Sequence, residues 1–371
     1  MPPKYWDYKM AQTNKVLSLI IPTYNMERLL RHTLDSLIIS EKNLAMLEVL
    51  VINDGSKDGS LTIAQEYASR YPGVIIAVDK PNGNYGSCIN RGLLEATGKY
   101  VKVLDADDSF DTENLDKYIE FLQNQDSDLV LTDFSVVNER GEQTDLLTYS
   151  LPQEKQFSLK DVSPKMSNWL FHQVITYKTE IFRKFDYHQT EGVSYTDDEW
   201  ALEPMMMVES VVYYPSIIYK YLRGREGQTT DEAVIKKTLT QRIVVAKSLL
   251  SFYNKYLSSF KEQAKAYITN KLVIRVAMIY NHFLTRSYSK SGMPGIIEFD
   301  AFLKDCNPDI YERLNAFTNS YGMKYIRQWR RWGHSAYCPA LIIMRMKRFV
   351  FKLTKKDINA LNMPNDLRRI K

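Results

Sequence analysis

Along the first 135 residues, short continuous apolar runs alternate with segments whose apolar positions recur every three or four residues. Val16–Ile21 (VLSLII), Leu47–Ile52 (LEVLVI), Val74–Val78, Tyr100–Leu104 and Asp128–Thr132 are the runs. Continuous apolarity means burial on both faces, as in the strands of a parallel sheet. Between them, Leu29, Leu30, Thr33, Leu34, Leu37 and Ile38 fall at helical steps, and helices are also predicted over 58–70, up to Ala96 and over 112–124. Pro22 is expected to stop the first strand. This alternation with short turns predicts an α/β fold with a mostly parallel central sheet flanked by helices. Residues 141–160 read as antiparallel strands or a loop. Val174–Tyr177 is a short strand, and Tyr213–Tyr221 a strand or strand pair. A helical pattern starting at Asp197 packs Trp200 and Met206 or Met207. After Thr230 the periodicity becomes helical to about Ser289, with shorter helices over 299–305 and 310–321. The division expected is therefore 1–230 for an α/β domain and 231–371 for a helical region.

A chain of 371 residues, 44% apolar and 25% charged, has the composition of a folded protein of one large or two ordinary domains. The N-terminal MPPKYWDYKMAQTNK lacks the apolar core of a signal peptide. No stretch approaches the roughly 18 apolar residues of a membrane span. Cys88, Cys306 and Cys338 have no motif spacing, which points to a reducing compartment, with the cytoplasm as the default. The net charge of +5 hides an asymmetry, because Lys324–Lys371 holds 13 Lys or Arg against two Asp or Glu. A basic tail interleaved with Trp329, Trp332, Ile342, Ile343, Phe349 and Phe351 suggests contact with an anionic membrane surface, at the inner face if the chain is cytoplasmic. The alternative is an ordinary helix with a basic solvent face. Nucleic acid is not the expected partner, since the rest of the chain supplies no known binding module.

The chemistry concentrates in KYVKVLDADDSFD, residues 99–111, where an apolar strand empties into Asp105, Asp107 and Asp108. Like charges gathered at a strand tip call for a counter-ion. Ligands of open α/β sheets sit at that end of the strands. Hard cations such as Mg²⁺ or Mn²⁺ favour carboxylate oxygen and bridge to phosphates, so a metal-chelated phosphate site is one reading. The other is a helix cap, from Asp108 or Ser109. Asp54 ends the second strand, where it could meet a base or ribose or make an Asx-turn before Gly55. Asn84 lies in the turn Asn82-Gly83-Asn84-Tyr85-Gly86, whose glycines allow close backbone approach. Neither GxGxxG nor GxxxxGK[ST] occurs in the first hundred residues, which argues against a dinucleotide fold and a P-loop ATPase. Asp197, Asp198 and Glu199 offer a general base or a charged helix start. Arg223 and Arg225 flank Gly224 in a cationic loop suited to a diphosphate, or in a solvated turn.

Taken together, PTYN at 22–25, NDGSKDGS at 53–60, NGNYGSCINRGLLEATGKYVKVLDADD at 82–108 and TDDEW at 196–200 resemble family 2 glycosyltransferases with the GT-A fold. The resemblance is strongest over 15–135 and fades beyond 230. It implies nucleotide-sugar binding within about 15–110 and an acceptor side over 111–230. It also implies transfer of a sugar from a nucleotide donor, usually a UDP-sugar, with inversion, to a glycan or lipid-linked acceptor in polysaccharide or cell-envelope synthesis. Carried over, Pro22, Tyr24 and Asn25 line the nucleotide cleft and Asp54 contacts the uracil. Asn84, Asp105 and Ala106 face the nucleotide-sugar, Asp107 ligates Mg²⁺ or Mn²⁺, and Arg223 and Arg225 cover the diphosphate. Asp108 is left as a cap or support. Asn53 replaces the first Asp of the common DDGS. The acidic pair, commonly Glu-Asp, is here Thr196-Asp197 or Asp197-Asp198, with Asp197 favoured as base and Asp198 the alternative. The Gln-x-x-Arg-Trp signature of processive members is absent at its expected place, and Gln328-Trp329-Arg330-Arg331-Trp332 lies too far along, so single addition is expected. A catalytically silent nucleotide-sugar-binding protein is the competing reading. A nucleotidyltransferase is disfavoured, because PTYNMERLL is not the glycine-rich basic loop it would need after strand one.

Overall fold

The computed structural model describes residues 14–159, 170–225, 232–260, 262–286, 288–289, 292–319 and 322–353. Those up to 225 form one compact unit and those from 232 onward a second. The first is built on strands β1 (Leu17–Thr23), β2 (Leu47–Asn53), β3 (Ile75–Asp79), β4 (Tyr100–Val103), β5 (Ser109–Phe110), β6 (Leu129–Val137), β7 (Gln143–Leu147), β8 (Ile175–Lys178) and β9 (Val211–Leu222). Helices α1 (Leu30–Asp35), α2 (Glu41–Leu44), α3 (Ser60–Arg70), α4 (Asn84–Glu95), α5 (Thr112–Gln123) and α6 (Asp197–Leu202) accompany them. The sheet order is β3-β2-β1-β4-β8-β6-β9-β5, with β7 also paired to β6.

The half formed by β3, β2, β1 and β4 is parallel, as the continuous apolar runs require. Pro22 does not end the first strand. It pairs in register with Ile52 of β2. The pairing of β1 with β4 has already ended at Ile20 and Val103, so no ladder bond on that side is lost to the missing N–H. Gly92 lets α4 lie flat on β1, since a Cβ there would meet the Ile20 side chain at 2.5 Å. The second half mixes directions: β8 runs antiparallel to both β4 and β6, while β6 and β9 are parallel. The expected antiparallel element within 141–160 is β7, and residue 160 lies outside the described residues.

Helix α6 is anchored by Trp200, which is fully buried and stacks on Phe182 at 5.1 Å. The short 3₁₀ turn Pro204–Met207 follows, with Met206 buried as expected. Glu203, between these elements, is buried too. Burial first, then the neighbouring Glu199, pushes its carboxyl well above the ordinary range. A carboxyl with a higher pKa folded than unfolded destabilises the folded chain once ionised. That cost declines as pH falls through the folded-state value and is gone below the unfolded one. Glu203→Gln is therefore expected to raise Tm in mildly alkaline buffer, with the gain shrinking as pH falls and gone only below the ordinary carboxylate range; thermal melts across pH check this.

The second unit contains α7 (Glu232–Tyr256), α8 (Glu262–Asn281), α9 (Met293–Cys306), α10 (Pro308–Ala316), α11 (Tyr325–Arg331) and α12 (Pro339–Leu353). Its buried Asp300 accepts hydrogen bonds from Tyr280 Oη at 2.5 Å and Arg330 Nη2 at 2.7 Å, and pairs with His334 Nε2 at 3.0 Å. Arg330 also lies over the Tyr311 ring at 3.5 Å, and Trp329 is fully buried. The basic, aromatic tail thus divides. Trp329 and Arg330 are core residues rather than surface ones. The segment 354–371 lies outside the described residues.

Candidate active site

Because β2, β1 and β4 are adjacent and parallel, their C-terminal ends bring Asp54, Tyr24–Asn25 and Asp105–Asp108 to one edge of the sheet. Pro22 is half-buried within β1, while Tyr24 is 46% exposed. Asn25 turns the chain with φ 53, and its Oδ1 accepts from Lys57 N at 2.8 Å. That bond ties the exit of β1 to the loop after β2.

Asp54 is buried and organises the turn at 80–84. Its Oδ1 receives Lys80 Nζ at 2.5 Å and Gly83 N at 2.9 Å, and its Oδ2 receives Asn82 Nδ2 at 3.0 Å and Asn84 N at 2.9 Å. Two bonds per oxygen saturate a carboxylate. Asn84 adopts φ 65, which asparagine tolerates better than most residues, and starts α4.

The three carboxylates after β4 have unequal surroundings. One oxygen from each of Asp105, Asp107 and Asp108 lies within 4.8 Å of the others. Asp105 accepts from Tyr85 Oη at 3.0 Å and pairs with His172 Nε2 at 3.1 Å. Burial acts to raise its carboxyl, but His172 and Tyr85 together bring it below the ordinary value. Asp107 is paired with Arg225 Nη2 at 2.6 Å, yet burial and the charge of Asp105 keep its carboxyl raised. Asp108 accepts from Tyr219 Oη at 2.6 Å and Leu222 N at 2.7 Å, and burial with its two acidic neighbours raises it well above the usual range. It caps no helix. The N-cap of α5 is Asp111, which accepts from Asn114 N, so the capping expected of Asp108 or Ser109 is corrected. Asp108 instead fastens β9 beside β5, and this delivers Arg225 to Asp107 three residues after β9 ends. Ala106 is buried, its carbonyl accepting from Thr33 Oγ1 at 2.9 Å. Arg223 is exposed and makes a backbone bond to Val137.

Several residues here were not singled out by the sequence. His172 opens the one-turn 3₁₀ helix before β8, and the antiparallel pairing of β8 with β4 sets it beside the end of β4. Burial works to lower its imidazole, but Asp105 and then Asp197 raise it above the ordinary value. Lys102 is fully buried on β4, donating to Gln173 O at 2.5 Å and Ile175 O at 3.1 Å. Burial lowers its ammonium to about 7. A lone histidine and a lysine inside an apolar run carry no motif signal.

The second acidic group reaches the same edge through α4. Asn90 Nδ2 donates to Gln189 O at 2.9 Å and Gln189 N returns a bond to Asn90 Oδ1 at 2.8 Å. Gln189 Nε2 holds Thr196 O at 2.6 Å, and Glu199 accepts from Thr190 N at 2.7 Å. Asp197 is half-buried, and its charge acts on both Tyr85 and His172, the two side chains that hold Asp105. Asp198 is buried. Tyr195, two residues earlier, is held at φ 69, an uncommon conformation for an aromatic residue. The close approach depends on Gly86, where a Cβ would meet Thr190 O at 2.1 Å. Gly86→Ala should therefore cost about 1–3 kcal/mol of stability and displace the loop bearing Asp197. Melting curves together with turnover check both effects.

Residues 18–176 match the model of glycosyl transferase family 2. These residues form a family 2 glycosyltransferase domain. The uncharacterized glycosyltransferase EpsJ of Bacillus subtilis is 25% identical over 267 residues, covering 68% of this chain and 74% of its own length. The poly(ribitol-phosphate) beta-N-acetylglucosaminyltransferase TarS of Staphylococcus aureus is 23% identical over 219 residues, 59% of this chain and 37% of TarS. The uncharacterized glycosyltransferase MG025 homolog of Mycoplasma pneumoniae is 38% identical over 101 residues, and this chain spans a third of it (33%). Among solved structures, S. aureus TarS 1–349 in complex with UDP-GlcNAc superposes with TM-score 0.60 at 19% identity, over 91% of this chain and 92% of that one. The glycosyltransferase domain accordingly has the GT-A fold. Among the described residues no helix is long and apolar enough to cross a membrane.

Proposed function

We propose that the protein transfers a hexosyl or N-acetylhexosaminyl group from a nucleotide-sugar, a UDP-sugar in the first instance, to a hydroxyl of a glycan or lipid-linked acceptor. Transfer proceeds by single addition with inversion. The observation that carries this reading is the gathering of one oxygen from each of Asp105, Asp107 and Asp108 within 4.8 Å after the C-terminal end of β4 in a family 2 glycosyltransferase domain. UDP-GlcNAc bound to the structurally similar TarS supports the choice of donor class.

The donor set fits a hard cation held mainly by one residue. Both oxygens of Asp105 and of Asp108 already have side-chain or backbone partners, whereas among the described residues Asp107 has Arg225 as its side-chain partner, a group that can move to a phosphate. Asp107 would thus hold Mg²⁺ or Mn²⁺, and the bound ion would help neutralise the departing nucleoside diphosphate. Arg225, exchanged from Asp107, and Arg223 would turn to the diphosphate. Asp105, oriented by Tyr85 and His172, would meet the ribose or diphosphate side, with Asn84 and Ala106 lining the donor site. Pro22, Tyr24 and Asn25 would wall the nucleotide. Asp54, saturated as it stands, shapes that wall through the 80–84 turn, and a direct contact with uracil would need one of its four bonds exchanged. Asp197 would take the proton from the acceptor hydroxyl as its oxygen attacks the anomeric carbon and the bond to the diphosphate breaks from the opposite face. Asp198, being buried, would support α6.

A screen of nucleotide-sugars for metal-dependent release of nucleoside diphosphate tests the reading. Turnover of a UDP-sugar that requires Mg²⁺ or Mn²⁺ is expected. No turnover with any donor, but retained nucleotide binding, would favour the silent binding protein.

A further inference from the structure

Helix α12 carries two apolar faces. Ala340, Leu341 and Met344 are buried on one side, whereas Ile342, Ile343, Met346, Phe349 and Val350 are each between 40% and 64% exposed. At 100° per residue these five fall within one sector of roughly 120°, opposite the buried face. Lys347 is exposed beside that sector. Trp332 and Tyr337, leading into α12, are exposed as well. Soluble surfaces scatter single apolar side chains, but a continuous stripe of five on one helix marks a docking face.

Charge says what covers it. From Lys324 to Leu353 the chain carries eight Lys or Arg and no Asp or Glu. Arg330 and Arg345 are used inside the unit, Arg345 donating to Leu284 O at 2.9 Å. Lys324, just before the adjoining α11, and Arg327 and Arg331 on that helix remain exposed. A two-fold contact between copies would bring this basic surface against itself, which like charge disfavours. An anionic bilayer meets both demands, with apolar depth for the stripe and negative headgroups for the cations. We propose that α12 lies on an anionic membrane surface, its Ile342–Val350 stripe entering the interface and the cations of α11 and α12 resting on the headgroups.

The full chain is mixed with phosphatidylcholine vesicles containing or lacking phosphatidylglycerol, and pelleting is measured at low and high salt. The chain is expected to pellet with the phosphatidylglycerol vesicles, less so at high salt. The Met346→Asp/Phe349→Asp double variant should lose this binding by at least about tenfold while its melting curve and nucleoside-diphosphate release stay unchanged. Phe349→Ala with Val350→Ala, which adds no charge, should weaken pelleting in the same direction if the Asp pair fails to fold. The proposal is overturned by no pelleting with anionic vesicles, by wild-type pelleting of the variants, or by a concentration-dependent dimer in solution that the same variants dissociate. Pelleting that survives in the variants but is lost on deleting residues 354–371 would also overturn it, placing the contact in that segment.

Discussion

Asp197→Asn is expected to lower the turnover of sugar transfer by about 10²–10⁴-fold, the usual contribution of a positioned general base. The amide keeps the shape of the carboxylate and removes only its ability to accept a proton. Asp197 lies at the first position of α6, which Trp200 locks into the aromatic cluster with Phe182, so the helix should survive the change. Donor affinity should hold, because Asp54, Asp105 and Asp107 are untouched. The expected signature is a fall in kcat with the KM for the donor unchanged. Asp198→Asn should give a smaller kcat effect with a measurable loss of stability, since Asp198 is buried. Steady-state kinetics of the two variants separates these outcomes, and full turnover in both would remove the base from this helix altogether.

Asp107→Asn should lower transfer by about 10²–10³-fold, the scale on which one electrostatic contact to developing charge is worth in a water-poor site. Here the loss falls on a different parameter. The response of the enzyme to added Mn²⁺ should flatten, because the amide neither neutralises nor firmly holds a divalent ion. The variant should be no less stable than the parent. In the parent, burial and Asp105 already hold the Asp107 carboxyl above its ordinary range despite Arg225, so its ionised form is an uneasy occupant of the folded state. Metal titrations of activity, with thermal melts in parallel, measure both effects.

Much of this was legible in the residues because it followed from local pattern. The strands of the parallel half are buried on both faces and therefore read as unbroken apolar runs, and the carboxylates stand at the strand tip that such sheets use for ligands. The ranking among those carboxylates was less accessible. Asp105 owes its setting to Tyr85 and His172, 20 and 67 residues away. Asp108 owes its own to Tyr219 and Leu222, 111 and 114 residues away. No window along the chain holds those partners together; the antiparallel β8 and the returning β9 do. Pro22 misled for a related reason. A proline ends a strand paired on both sides, but β1 is paired on one side only by that point. In the tail, composition registered aromatic and basic residues without dividing them. Only packing separates Trp329 and Arg330, which build the core around Asp300, from Met346 and Phe349, which face outward.

In the function proposed above, the acidic edge after β4 holds a metal-bound nucleoside diphosphate, with Asp107 its principal ligand. Calorimetric titration of UDP, with GDP as the second nucleotide, into the wild-type chain and Asp107→Asn, each with and without Mn²⁺, tests it most directly. One nucleotide is expected to bind the wild type far more tightly with Mn²⁺ present, and Asp107→Asn to lose this enhancement. Binding that is indifferent to Mn²⁺ in the wild type, or an enhancement that persists in full in Asp107→Asn, would contradict it.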